Sequence, residues 1–560
     1  MWNLDNLKNT NLRAFRKCSG ELKKLLAQDN IDIENALSLL GKALDIYETL
    51  YSHAYAVFSV DTGNTDAARE LDLLEKEHVL LTDNLTVLRK KLAETRFKPK
   101  NREYALFVKE AVKEASHQLS DAEERLASEL SCAAGDAWSR LQASVSSSIS
   151  VKWNETERKT VNQLRNMAFD PDRNIRRKAW EAEIGAWKEM EIPLAYSLNG
   201  VKKTAIILDE KRKWKNPVDK ALFQNRMSAK TLGAMIEVME ESLPYFREYL
   251  KKKGTLLGIE KPAFYDIFAP ITKDGFEART WSYDEARKFI TETFSSFSPD
   301  MGEFAEKAFD RKWIDEEPKG NKIGGAYCTS FPTAGESRVM CNYNPTMSGV
   351  STVAHELGHA YHFDLLKEKS AFARAYPMTL AETASIFAET LIFNTALEKA
   401  EGFEKTYITE LFLQEVTQVI VDILSRFYFE KEIFERIKKE GSLSAEEFCS
   451  IMLDAQKKTY GDALDPEQLH PYMWAVKCHY YSADLGFYNF PYAFGQLFSI
   501  GLYRKYLENR ETFPELYRKL LGCTGIMDIK GVAKQAGIDI ESKEFFRSSM
   551  KFITDMIREF

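Results

Sequence analysis

The stretch His355-Glu356-Leu357-Gly358-His359 sets two imidazoles four residues apart, with a carboxylate beside the first. On a helix, positions four apart share a face. Both rings can therefore grip one metal ion, while the glutamate accepts a proton from water that the ion has acidified; zinc suits such a pair of nitrogens. A catalytic zinc site needs a third protein ligand. One class of zinc protease supplies a histidine ten residues after the first, beyond a glycine, but here that position is Leu365 and the glycine's place is taken by His362. The alternative is a carboxylate on a following helix. Glu382 lies in Leu380-Ala381-Glu382-Thr383-Ala384-Ser385, among small and apolar residues. An ionised carboxyl is costly to bury there unless it meets a metal or a cation. Glu382 is the expected third ligand. Glu389, two turns further on the same face, is the expected supporting partner or alternative ligand. His362 lies near the metal-binding face of its helix, with packing or a substrate contact as its roles.

The elements that must position these residues are legible as periodicity. Residues 350–361 and 377–400 read as helices. Residues 324–328 and 337–343 have strand-like content and are separated by the turn-like Pro332-Thr333-Ala334-Gly335, which predicts a small sheet directly before the metal helix. Residues 262–268 read as a further strand. In the first third, Leu71, Leu74, His78, Leu81, Leu85, Leu88 and Leu92 recur at steps of three and four, one face of a long helix, with His78 as a half-buried packing residue. Residues 30–55, 102–141 and 170–209 show similar periodicity, and Trp180 and Trp187 share a face in the last of these. Joints are expected at 97–100 and 213–217.

Composition narrows the class. With 44% hydrophobic residues and only 27 Gly and 16 Pro in 560, the chain is suited to a large, mostly helical core. A net charge of −7 with no basic tract argues against nucleic acid as a partner. No run reaches the roughly 18 apolar residues of a membrane span. The seven cysteines are dispersed without C-x-x-C spacing, and the N-terminus carries no basic region followed by an apolar core, so reduced thiols and a cytoplasmic location are expected.

The string HELGHAYH followed by AETASIF resembles the M3 family of zinc oligopeptidases, which includes thimet oligopeptidase and the oligoendopeptidase F group. GGAYC, RVMCNYN and HYYSADLGFYNFPYAFG, together with residues 118–124 and 137–141, resemble the oligoendopeptidase F branch. The resemblance implies one Zn2+ per chain held by His355, His359 and Glu382, with Glu356 as the base. It also implies a mainly α fold, a large helical two-lobed ellipsoid with a deep channel that admits short unstructured peptides and a small β-sheet next to the HExxH helix. The expected division is an N-terminal helical region at 1–110, a region at 111–195 similar to the N-terminal part of oligoendopeptidase F, and an M3-like catalytic region at 196–560.

Peptide hydrolysis builds negative charge on the former carbonyl oxygen, and a fixed donor is expected to meet it. His479, Tyr480, Tyr481, Tyr488 and Tyr492 cluster within fourteen positions, and a phenol donates without ionising at neutral pH. Tyr488 and Tyr492 stand four apart, so a helical turn would aim both at one spot, whereas Phe487, Phe490 and Phe494 read as core. With the resemblance, His479, Tyr488 and Tyr492 are expected to be catalytic. The strand-like residues 337–343 suggest a sheet edge to which an extended peptide adds as a strand, with Arg338 and Asn342, and further Tyr481 and His362, as substrate contacts. The leading expectation is a zinc endopeptidase acting on short peptides. The rivals are a zinc carboxypeptidase, which needs a basic group for a free C-terminus, and a silent helical scaffold, against which the retained ligands and Glu356 argue.

Overall fold

The computed structural model describes residues 4–560, with residues 4–10 described by their backbone alone. Its first three elements are long amphipathic helices, α1 (Leu4–Leu26), α2 (Ile33–Val60) and α3 (Thr65–Thr95). Asp32 and Asn64 cap the last two by accepting from the backbone N–H of Asn35 and Ala67, each cap contributing about 1 kcal/mol. The stripe on α3 buries Leu74, Leu81, Leu88 and Leu92 in one cluster with Phe15, Leu22, Leu37 and Leu40. Each such side chain contributes roughly 1.5–3 kcal/mol relative to exposure. His78 departs from expectation: it is exposed and rests its ring on Tyr47, 5.0 Å away. Its neighbour Glu77 is buried instead, because Arg16 reaches it at 2.8 Å. α3 ends at Arg96 in the left-handed region (φ 48), and a loop follows at residues 97–101.

Among the described residues, five short strands interrupt the helices. β1 (Ser150–Lys152) and β2 (Arg158–Thr160) form a hairpin. β3 (Ile314–Asp315), β4 (Tyr327–Phe331) and β5 (Glu336–Met340) form a three-stranded sheet in the order β3-β5-β4. β4 and β5 are antiparallel, with Cys328 opposite Val339 and Thr329 opposite Arg338; β3 and β5 are parallel. Residues 332–335 turn between β4 and β5, and Gly335 (φ 62) adopts the conformation that favours glycine. The sheet precedes the helix Met347–Leu366, which carries the metal motif. Residues 262–268 are not a strand but a buried 3-10 turn at Phe264–Asp266. Asp266 accepts from the Ala263 N–H and from Arg173 and Arg176, and these tertiary bonds override the local β preference.

Packing groups the chain into two units, each drawn from three stretches. The first comprises residues up to Gln118, Arg279–Glu398 and Leu502–Asp539, and holds α1–α3, the three-stranded sheet and the metal-motif helix. The second comprises Leu119–Ala278, Lys399–Gly501 and Ile540–Phe560, and holds the hairpin and the tyrosine-rich segment. The second unit buries several charges, each paired: Lys202 with Glu430 (2.7 Å), Lys253 with Glu410 (2.6 Å) and Arg176 with Asp266 (2.8 Å). Pairing of this kind is what makes such burial tolerable.

Candidate active site

Within the first unit, the helix Met347–Leu366 meets the helix Met378–Lys399 at Gly358. A Cβ at 358 would stand 2.6 Å from the Ala384 carbonyl oxygen and 2.7 Å from the Ser385 Cα, so only glycine allows this approach. The contact brings Glu382 to the two histidines. Nε2 of His355 and Nε2 of His359 are 3.2 Å apart, and Oε2 of Glu382 lies 3.4 Å from the first and 3.6 Å from the second. Three corners of a tetrahedron around an ion with bonds of about 2.0–2.1 Å are about 3.3–3.4 Å apart. The triangle fits a zinc ion. These three are also the one cluster of His, Cys, Asp or Glu among the described residues whose ligand atoms converge in this way.

Supporting contacts aim each ligand. Nδ1 of His355 faces Oε1 of Glu389 at 3.1 Å, and His359 donates to the Ala381 carbonyl. Both rings thus commit one nitrogen to a partner and turn Nε2 to the shared point. Ser385 donates to Oε2 of Glu382 at 2.9 Å. Burial would push the His355 imidazole down, but Glu389, Glu382 and Glu356 outweigh it and hold the group up at about 10. Burial and the charge of His355 push His359 down to about 4. Two imidazoles among three carboxylates leave an excess of negative charge, which a divalent cation answers.

Glu356 is buried beside the triangle. Burial first, then Glu382 and Glu389, raise its carboxyl to about 7 against the opposing pull of His355 and of a hydrogen bond from the Cys328 backbone N–H. The strand residue reaches Glu356 for a reason of register. Val339 donates to Trp313 O at 2.8 Å, on the β3 side, so its partner Cys328 turns N–H and C=O away from β5. Ser330, two residues on, turns its backbone the same way.

The other expected residues are placed as follows. Arg338 lies on the sheet face opposite Cys328: its partner Thr329 bonds Ser52 of α2, and its guanidinium is taken by Ser337 O and Glu336. It lines a cavity of about 570 Å3 against α2, away from Glu356. Asn342 donates to Ile323 O and Gly325 O at 2.8 and 3.2 Å, pinning the entry to β4. His362 is fully buried, stacked on Tyr376 and 2.8 Å from Thr524 Oγ1, and offers a substrate no surface. Tyr481 is likewise buried.

In the second unit, Tyr488 precedes the helix Phe490–Glu508 and Tyr492 lies in its first turn. Their hydroxyls are 3.3 Å apart and both are half-buried. The His479 ring stacks on Tyr488 at 5.6 Å. Phe487 takes φ 56, a conformation unusual outside glycine, and its N–H is held by Glu430 at 3.0 Å. Sequence reasoning passed over Gly358 and Ser385. Only Gly358 carried a signal: a glycine inside a helix costs about 1 kcal/mol relative to alanine, so its presence points to a close approach.

A half-buried two-histidine, one-glutamate cluster with a buried carboxyl beside it, on a mainly helical scaffold, is the architecture of a metallopeptidase. Comparison agrees. Residues 166–552 match the model of peptidase family M3, and residues 87–150 match that of Oligopeptidase F. The chain belongs to peptidase family M3, a family of metallo-oligopeptidases that generally use zinc. It is 22% identical to Oligopeptidase PepF of Bacillus subtilis over 99% of this chain and 85% of that one. It is 25% identical to the chromosomal Oligoendopeptidase F of Lactococcus lactis subsp. cremoris over 69% of this chain and 64% of that one. Among solved structures, PZ peptidase A with an inhibitor shares the fold at a TM-score of 0.75 and 17% identity, over 100% of this chain and 98% of that one. Oligoendopeptidase F from Enterococcus faecium does so at 0.69 and 18%, over 99% and 96%. No helix among the described residues is long and apolar enough to cross a membrane.

Proposed function

We propose that this peptidase is a zinc endopeptidase that cuts internal bonds of short unstructured peptides, with His355, His359 and Glu382 as ligands and Glu356 as the general base. The observation that carries this reading is the ligand triangle of 3.2, 3.4 and 3.6 Å with Glu356 buried beside it. A bound zinc supplies an acidified water and polarises the scissile carbonyl. Glu356, buried beside the ligand triangle, takes a proton from the attacking water and returns it to the departing amine. Tyr488, Tyr492 and His479 are the donors proposed for the developing oxyanion. Glu389 holds His355 from behind.

Strand addition is proposed on β4 and not at residues 337–343. β5 is paired on both sides, by β3 and by β4, so its two edges are taken. β4 is the outer strand on the side of Glu356; the Cys328 N–H is held by Glu356, and the Cys328 carbonyl and the Ser330 backbone remain for an extended peptide. Backbone recognition binds many sequences and selects against folded substrates.

The test is an internally quenched peptide blocked at both ends, given to the metal-loaded enzyme and to Glu356→Gln. Cleavage by the first and about a hundredfold or greater loss in the second, with metal content unchanged, is expected. A requirement for a free C-terminus would support the carboxypeptidase reading, and full activity of Glu356→Gln would remove the base from its role.

A further inference from the structure

A chain of side chains behind the tyrosines fixes more than their position. The last residue of the π-helical turn Gln418–Asp422 is Asp422, and Arg426 donates to it through Nη2. Turns of this wide type recur at functional sites. Nη1 of Arg426 donates to Oδ1 of Asn489 at 3.1 Å. Nδ2 of Asn489 lies 2.8 Å from Nε2 of His479.

The direction of each bond follows from chemistry. A guanidinium has no acceptor, so the Asn489 atom that it meets must be the amide oxygen. The amide nitrogen then faces His479 and has only hydrogens to offer. Nε2 of His479 must therefore carry the lone pair, and a neutral ring of that kind has its hydrogen on Nδ1.

We infer that Asn489 and Arg426 are positioning residues that hold His479 as the neutral imidazole with its proton on Nδ1, so that the ring adds a fixed donor beside the Tyr488–Tyr492 pair. The inference rests on the peptidase reading for its catalytic meaning, not for its chemistry. The surroundings agree. Burial and the cations Arg426, Lys477 and Lys202 push the His479 ring down to about 3. The nearby acids do not offset them: Asp422 is engaged by Arg426, and Glu430 by Lys202 and the Phe487 N–H. At neutral pH the ring is not an acid or base in waiting. It is a fixed N–H beside two phenols, suited to an oxygen that gains negative charge.

The direct measurement is 15N NMR of the metal-loaded enzyme labelled at histidine, with the His479 signals identified by their loss in His479→Gln. The expected pattern is a neutral ring protonated on Nδ1 from pH 5 to 9. A ring protonated on Nε2, or one that titrates in that range, overturns the inference. The kinetic measurement is Asn489→Asp, which puts an acceptor against Nε2 and calls for a proton there. Its kcat is expected to fall about tenfold to a hundredfold with KM nearly unchanged, and its kcat–pH profile to gain an ionisation between pH 5 and 8. A purely structural role would lower Tm and add no ionisation, and wild-type kinetics in Asn489→Asp would overturn the positioning role. If the enzyme cleaves no peptide at all, the NMR result still decides the tautomer, so the two failures are distinguishable.

Discussion

Oε1 of Glu389 lies 3.1 Å from Nδ1 of His355, on the side of the ring away from the ligand triangle. It orients the ring and makes Nε2 a better donor to a metal. Glu389→Ala should weaken metal binding about tenfold to a hundredfold, and Glu382→Ala should weaken it more. Titration against a competing chelator measures both, and the reverse order would exchange the roles of the two carboxylates.

The same pairing predicts a proton balance. His355 stays protonated below about 10 while the site is free of metal, because the three glutamates outweigh its burial. A metal needs the lone pair, so loading at pH 7 should release about one proton. The apparent affinity should therefore rise with pH through the neutral range and level off near 10. Calorimetry in two buffers of different ionisation enthalpy counts the protons, and a count of zero would contradict the charged His355.

Gly358→Ala should act on both stability and the site. The added methyl meets backbone atoms at 2.6 and 2.7 Å, which cannot rotate away. Overpacking of this kind costs about 1–3 kcal/mol, read as a lower Tm, and the parted helices should bind metal less tightly. A variant with unchanged Tm and metal affinity would show that the helices yield freely.

Glu183, buried in the second unit, accepts from Arg165 and Trp187 at 3.0 Å each and faces His470 at 3.3 Å. Burial would raise its carboxyl, but His470 and Arg165 bring it from 4.5 down to about 2. A depressed carboxyl stabilises the fold fully above its unfolded value, and that contribution is lost as pH falls from 4.5 to 2. It is worth up to about 3 kcal/mol. Glu183→Gln should lower stability near neutral pH and flatten the acid limb in that window. Denaturant titrations at pH 3 and 7 test this, and an unchanged difference between the two pH values would exclude Glu183 as its source.

Tyr488→Phe and Tyr492→Phe should each lower kcat about a hundredfold to a thousandfold with a smaller change in KM. Their hydroxyls stand 3.3 Å apart, so the double variant should lose less than the product of the two. Wild-type kcat in both would return the tyrosines to a packing role.

How much of this was legible depended on how local each determinant is. The metal motif is its own geometry: once residues 347–366 are helical, four-residue spacing places both rings. Glu382 was legible because an isolated carboxyl among small apolar residues needs a partner. β4 and β5 were found within three residues by composition and the turn between them. Which strand lies outermost was not legible, because it depends on β3, whose two residues carry no periodicity. Glu77 was missed for the same kind of reason: its partner Arg16 is 61 residues away. The turn at Asp266 is imposed by Arg173 and Arg176, about 90 positions earlier in the chain.

Gly358 has a consequence for ion choice. Two imidazoles and a carboxylate would accept many divalent transition metals, with copper favoured over zinc by intrinsic affinity. The ligands, however, stand on two helices whose separation is set by the missing side chain at 358. That separation works as a calliper. It suits a tetrahedral ion with bonds of about 2.0–2.1 Å, while the two imidazole nitrogens turn away calcium, which takes oxygen ligands. The spacing of the ligands is thus written at a position that carries no ligand atom, and a bulkier residue there would pull the third ligand away from the first two.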